Sequence, residues 1–212
     1  FPEGNNDMIF SIPVGTHLTQ VAGLAWGAKM RKEDSVALTY LGDGTSSKGD
    51  FHEALTFAGQ MKLPVIFIIE NNQWAISVPR AKQAASKTLA QKAWGYGAKG
   101  LQVDGNDALA VYKAVTDAVA SARKGEGPTV LELETYRMGH HTTADDATRY
   151  RTDAEVESWR KKDPILRLRK YLETQKLWDE DQEKRLKADA ETMVQEEVDA
   201  YEKTPPPNPL NM

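Results

Sequence analysis

The chain has 212 residues, with 27 Lys+Arg against 31 Asp+Glu for a formal net charge of −4, 40% hydrophobic residues and no cysteine. That length fits one principal domain with a small appendage, and the lack of cysteine excludes disulfide scaffolds, thiolate zinc sites and cysteine nucleophiles while fitting a reducing compartment. The mild acidity argues against nucleic acid as a partner, the hydrophobic share against wholesale disorder, and the longest apolar run, residues 65–69, falls far short of the ~20 residues of a membrane span.

Taken in chain order, Phe1-Pro-Glu-Gly-Asn-Asn-Asp7 shows no basic or apolar region of a signal peptide, and no initiator Met opens the chain. Residues 19–32 are rich in Ala and Gly and read as a helix packed close to its neighbours. Ser35-Val-Ala-Leu-Thr-Tyr-Leu41 predicts a strand that ends in Gly42-Asp43-Gly44. Phe51, Leu55, Ala58 and Met61 fall on one helical face. Leu63-Pro-Val-Ile-Phe-Ile-Ile69 is nearly all apolar, as in a parallel strand buried on both faces. These three form a βαβ unit. Gly100-Leu-Gln-Val103 reads as a short strand. Leu109, Tyr112, Val115 and Val119 then stripe a helix that opens near Asn106 and Asp107 and stops at Gly125, and Thr129-Val-Leu-Glu-Leu-Glu-Thr135 reads as a further strand. The alternation predicts an α/β fold over residues 1–152, an open, mostly parallel sheet covered by helices. From Asp153 charged residues dominate. Residues 153–212 read as a C-terminal helical arm, with a second charged helix from about Glu180 to Tyr201 and an extended tail at Pro205-Pro-Pro-Asn-Pro209.

The chemistry concentrates at the ends of the first two strands. In a βαβ unit Gly42-Asp43-Gly44 and Glu70-Asn71-Asn72 share the carboxyl edge of the sheet, where ligands bind in such folds. Asp43 and Asn72, 29 positions apart in sequence, are therefore expected as neighbours. A carboxylate and an amide oxygen are hard ligands suited to Mg²⁺ or Ca²⁺. Thr45-Ser-Ser47 leads into the next helix, whose N–H groups would favour phosphate. Together they point to a metal-bridged diphosphate. A nucleotide P-loop is excluded, because Asp50 stands where its lysine should be.

Four segments also carry a resemblance: Gly42-Asp-Gly-Thr-Ser-Ser-Lys-Gly-Asp-Phe-His-Glu-Ala54, Glu70-Asn-Asn-Gln-Trp-Ala-Ile-Ser77, Val103-Asp-Gly-Asn-Asp107 and Tyr136-Arg-Met-Gly-His-His-Thr-Thr-Ala-Asp-Asp146. In this order they resemble the E1 α subunits of thiamine-diphosphate-dependent 2-oxo acid dehydrogenase complexes, over about residues 11–177. The resemblance implies a thiamine-diphosphate-binding fold, with thiamine diphosphate and Mg²⁺ as cofactors. Asp43, the Asn72 side chain and the Trp74 carbonyl match the metal ligands. Gly44 and Thr45 match backbone contacts to the diphosphate, and Val14 with the backbone around Ile12 the segment against the thiazolium and aminopyrimidine. His141 matches the active-site histidine, and Arg137 an arginine bracing its loop. That loop, residues 139–151, is expected to be mobile until cofactor arrives, then tied by charge pairs from Asp145 and Asp146 to Arg149 or Arg151. The family reaction decarboxylates a 2-oxo acid and reductively acylates the lipoyl group of an E2 acyltransferase. It requires an E1 β subunit in an α2β2 heterotetramer. Pyruvate is the favoured substrate, with branched-chain 2-oxo acids, acetoin dehydrogenase or a non-catalytic scaffold as alternatives. No nucleic acid or membrane partner is implied. The implied location is cytoplasmic, or the mitochondrial matrix in a eukaryote. Family α chains also carry an upstream segment with a diphosphate-holding Tyr-Arg pair that has no counterpart here.

Overall fold

The computed structural model describes residues 12–206, so the expectations for residues 1–11 and for the end of the proline tail lie outside the described residues. The chain divides into two compact units, residues 1–164 and 165–212. In the first unit, α1 (Thr16–Met30), β1 (Ala37–Gly42), α2 (Gly49–Gln60) and β2 (Val65–Asn71) follow one another. A short hairpin, β3 (Trp74–Ala75) and β4 (Val78–Pro79), leads to a helical turn, α3 (Arg80–Gln83), and a 3-10 stretch, Ala90–Tyr96. Next come β5 (Lys99–Asp104), α4 (Ala108–Arg123), β6 (Thr129–Glu134) and α5 (Asp153–Arg160).

Four strands form one sheet in the order β1-β2-β6-β5, every neighbouring pair parallel. The apolar run of β2 makes this possible. Successive side chains of a strand point to opposite faces, so Val65, Phe67 and Ile69 pack with α1, α2 and the 3-10 stretch, while Ile66 and Ile68 pack with α4. Phe51 of α2 meets Phe67 edge-on, ring centroids 6.2 Å apart, with both rings fully buried.

One expectation needs correction. α4 forms where expected and is capped by Asp107, whose carboxylate accepts from the N–H groups of Leu109 and Ala110. Its core face, however, is Ala114, Ala118 and Ala122, whereas Leu109 and Tyr112 are 51% and 73% exposed. Val115 and Val119 of the expected stripe do pack against this core, while Leu109 and Tyr112 fall outside it because alanines spaced four apart let the helix axis approach the sheet closely.

The first unit also runs one helix further than the expected division at residue 152. Glu155 of α5 accepts from Trp74 Nε1 at 3.2 Å and from the Tyr136 hydroxyl at 2.8 Å, and Trp159 stacks on Tyr136 at 5.2 Å. In the second unit, α6 (Pro164–Thr174) ends on a left-handed Lys176, with Leu177 N donating to Leu172 O. α7 (Glu180–Lys203) opens on a capping box between Asp179 and Gln182. Glu183 of α7 meets Arg169 of α6 and accepts from Trp178 Nε1, and the indole bond leads in holding its carboxyl below the usual range. No helix among the described residues is long and apolar enough to cross a membrane.

Deep in the first unit lies a carboxylate. Glu132 of β6 has no solvent exposure, and it accepts from Asn71 Nδ2 at 2.7 Å and from Ala90 N at 3.0 Å. Both oxygens are thus used, one for the end of β2 and one for the start of the 3-10 stretch. Glu132→Ala would strand two buried donors and should lower stability by about 2–5 kcal/mol, measured by urea denaturation. Glu132→Gln keeps one acceptor and should lose less.

Candidate functional site

All four strands being parallel, their carboxyl ends lie along one edge. The β2–β6 pairing continues beyond the strands: Thr135 N donates to Asn71 O at 2.9 Å and Arg137 N to Asn72 O at 3.2 Å. β1 runs directly into Asp43, and β2 into Asn72. Asp43 is right-handed helical and opens a 3-10 turn, Gly44–Ser47, yet its carboxylate makes no capping bond. The residue is 2% exposed, and the only hydrogen bond to its carboxylate among the described residues is from Gln83 Nε2, at 2.5 Å. The expected run of N–H groups into a helix is corrected here. Lys48 is extended at ψ 148°, so the turn stands apart from α2, which starts at Gly49.

The hairpin closes over this turn. A Cβ on Gly44 would fall 2.8 Å from Ala75 Cβ, so only glycine lets the two segments touch. Asn72 Oδ1 accepts from Trp74 N at 3.1 Å, and Trp74 O accepts from Arg137 Nη1 at 2.9 Å. Arg137 Nη2 reaches Ile76 O at 2.7 Å. An amide or carbonyl oxygen offers two lone pairs, so Asn72 Oδ1 and Trp74 O each keep acceptor capacity. Asp43, Gly44, Thr45, Asn72, Trp74 and Arg137 thereby gather around one hairpin. Gly15, at φ +91°, caps α1, and a Cβ there would lie 3.5 Å from Thr45 Cγ2 and Lys48 Cβ. The chain entering α1 therefore passes beside the turn, with Ile12 and Val14 exposed there.

This donor set fits a hard divalent cation shared with phosphate. Such a cation takes one or two carboxylates, with neutral oxygens and phosphate completing its shell. A nearly fully buried carboxylate facing one neutral donor meets that requirement. Among the described residues no three or more His, Asp or Glu side chains are grouped so that they could hold a metal ion by themselves.

His141 stands on a loop of another kind. Its ring is exposed and makes no hydrogen bond among the described residues, while its backbone N–H donates to Asp145 Oδ2 at 2.8 Å. The same oxygen accepts from the Tyr150 hydroxyl at 2.6 Å, and that hydroxyl accepts from Arg137 Nη2 at 2.8 Å. Arg137 so connects the hairpin to the loop. His140 Nδ1 accepts from Ala147 N at 3.0 Å. The hydrogen bonds of this loop run to partners other than the Asp–Arg pairs expected on cofactor binding, although Arg149 does act on the Asp146 charge. Asp146 caps Thr148, and Arg151 donates to the carbonyls of Arg137, Met138 and Gly139. A guanidinium with five N–H donors can serve several carbonyls at once. The backbone bond from His141, then the Tyr150 bond, holds the Asp145 carboxyl below its ordinary value. Burial, with the bond to Asp145 next, raises the Tyr150 hydroxyl.

Sequence reasoning missed Gln83, Lys92, Tyr150 and Glu155. Glu132 had a signal, a carboxylate inside a strand otherwise buried on both faces; the others have none, since only the folded chain brings them to the site.

Comparison with known proteins places these features in context. The family model described as "Dehydrogenase E1 component" matches residues 2–210. The pyruvate dehydrogenase E1 component subunit alpha of Staphylococcus epidermidis is 56% identical over 184 residues, 86% of this chain and 50% of that protein. The subunit of the same name from Staphylococcus aureus is 52% identical over 201 residues, 92% of this chain and 54% of that protein. The chain thus spans about half the length of the curated relatives it matches.

The lowered Asp145 carboxyl contributes to loop order in full above its unfolded value, near pH 4, and loses that contribution as pH falls through the folded value. Hydrogen exchange of the His141 amide should therefore be slow relative to a free peptide at neutral pH. Asp145→Ala should release it, and acid should do the same.

Proposed function

The chain belongs to the dehydrogenase E1 component family, and from that premise we propose that it acts as the α subunit of a thiamine-diphosphate-dependent 2-oxo acid dehydrogenase. Pyruvate is the proposed substrate, in keeping with the names of the relatives at 56% and 52% identity. One observation carries the reading: Asp43, at the end of β1, is almost fully buried with no cationic side chain bonded to its carboxylate among the described residues, and the turn it opens touches, at Gly44 and Ala75, the hairpin that bears Trp74.

In this reading Asp43, Asn72 Oδ1 and Trp74 O hold Mg²⁺, and the backbone of Gly44 and Thr45 holds the diphosphate. Ile12 and Val14 line the approach to the cofactor rings, their exposed apolar surface available to a bound heterocycle. When bound, thiamine diphosphate supplies the electron sink for loss of CO₂ from the 2-oxo acid. Arg137 fixes the hairpin carbonyls and, through Tyr150 and Asp145, the loop that bears His141. The exposed His141 imidazole gives a proton to the sulfur released as the lipoyl disulfide opens, a transfer an imidazole can perform near neutral pH.

The partners proposed are an E1 β subunit, in an α2β2 particle, and the lipoyl-bearing E2 acyltransferase. The outer face of α1 suits a protein neighbour: Leu24 and Trp26 are exposed, and a side chain on Gly23 would meet nothing within 4 Å. We place the enzyme in the cytoplasm, consistent with its cysteine-free composition.

Asp43→Ala should abolish Mg²⁺-dependent binding of thiamine diphosphate to the assembled α–β enzyme, followed by calorimetry. Unchanged affinity would remove the metal-site reading. His141→Ala should lower overall complex activity by about 10²–10⁴-fold, with decarboxylation measured by an artificial electron acceptor falling far less. A parallel fall in both assays with loss of cofactor affinity would assign His141 to anchoring instead.

A further inference from the structure

Behind the Gly44–Ser47 turn lies a cation that the metal and diphosphate assignments leave unused. Lys92, in the Ala90–Tyr96 stretch, is half-buried, and its Nζ donates to Ser46 O at 2.7 Å and to Ser46 Oγ at 2.9 Å. Ser46 has no solvent exposure, and its hydroxyl donates onward to Asp43 O at 2.7 Å. The same Asp43 carbonyl accepts from Ser46 N at 3.1 Å, and Thr45 O accepts from Lys48 N at 3.0 Å. A four-residue turn has too few internal bonds to fix its own shape, and the carbonyl of Ser46 would be left without a donor. Lys92 supplies that donor and polarises the hydroxyl that in turn holds the residue bearing the carboxylate.

The stretch carrying Lys92 is itself tied at both ends. Ala90 N donates to the buried Glu132 carboxylate, and the Tyr96 hydroxyl lies 2.6 Å from His52 Nδ1 of α2. A Cβ on Gly59 of α2 would meet Tyr96 O at 1.8 Å, so helix and stretch are in direct backbone contact. The ammonium therefore reaches the turn from a rigid support. Burial, followed by the neighbouring Arg80, lowers the Lys92 pKa, while Glu132 opposes that shift.

We propose that Lys92 is a positioning residue for the metal–diphosphate site, setting the Asp43–Ser46 turn through Ser46 and thereby aiming the Asp43 carboxylate and the N–H groups of Gly44 and Thr45. It touches neither metal nor diphosphate, and it rests on the function proposed above. Charge-assisted bonds are about twice as strong as neutral ones, which is the physical reason for an ammonium here rather than an amide or hydroxyl.

The test measures the dissociation constant for Mg²⁺, at saturating thiamine diphosphate, in the assembled α–β enzyme. Lys92→Met should raise it about ten- to a hundredfold, and Lys92→Arg, which keeps charge and donors, should return it to within about threefold of wild type. Ser46→Ala should weaken binding less, and the Lys92→Met/Ser46→Ala double variant should bind no more weakly than Lys92→Met alone, because both act through one relay. Wild-type affinity in Lys92→Met, a loss that Lys92→Arg fails to rescue, or fully additive losses in the double variant would each overturn the proposal. Should Lys92→Met fail to fold, Ser46→Ala decides, and unchanged affinity there overturns it. Failure of the wild-type enzyme to bind Mg²⁺ and thiamine diphosphate would defeat the functional reading itself, an outcome distinct from normal binding by the variants.

Discussion

The buried carboxylate of Glu132 is the constraint on which the rest of the edge depends. A carboxylate out of water is stable only where both oxygens find donors, and here one takes the Asn71 amide and the other the Ala90 N–H. The first bond fixes the residue before Asn72. The second fixes the stretch from which Lys92 extends. A single side chain in the central strand β6 thus orients both the end of β2 and the support beneath the Asp43 turn, two regions separated in sequence by the hairpin and α3.

A second regularity follows from where the cations are spent. Arg80, Lys92, Arg137 and Arg151 all donate to backbone carbonyls of loops near the strand ends. Irregular loops carry carbonyls that no strand or helix satisfies, and long cationic side chains with several donors answer that need. Two ion pairs with both partners well exposed, Lys113–Asp117 and Arg160–Glu157, lie on helix surfaces and contribute little individually. The division has a chemical consequence. With the cations near the edge turned to carbonyls, the Asp43 carboxylate keeps only a neutral amide partner among the described residues.

The sheet is asymmetric in how its strands are covered. On the β1 edge Leu38 and Tyr40, aligned with Ile66 and Ile68 of β2, are exposed, whereas Ile66 and Ile68 are covered by α4. Together with the outer faces of α1 and α4, this leaves apolar surface on several elements of the first unit.

Much of this was legible in the residues. The all-apolar β2, the strand before Gly42, the Asp107 cap and the stop at Gly125 are local signals, set by side-chain period and backbone preference, and the parallel topology follows from their alternation. The proximity of Asp43 and Asn72 follows from that topology as well, since parallel strands must end at one edge. The face of α4 was legible only in part: Val115 and Val119 pack on the core as their spacing predicts, but Leu109 and Tyr112 do not, because the closeness of helix to sheet is set by alanines and becomes apparent only when the two pack. The supporting network was not legible either. Gln83 on Asp43, Lys92 on Ser46, Glu132 between Asn71 and Ala90, and Tyr150 between Arg137 and Asp145 join positions 5 to 61 residues apart. Polar side chains of this kind have no period of their own, because each answers an unsatisfied group that exists only once the other segments have folded. Periodicity and strand-end chemistry by themselves determined which elements form and which residues reach the edge. Tertiary packing decided how those residues are held, because hydrogen-bond partners are chosen by proximity in space.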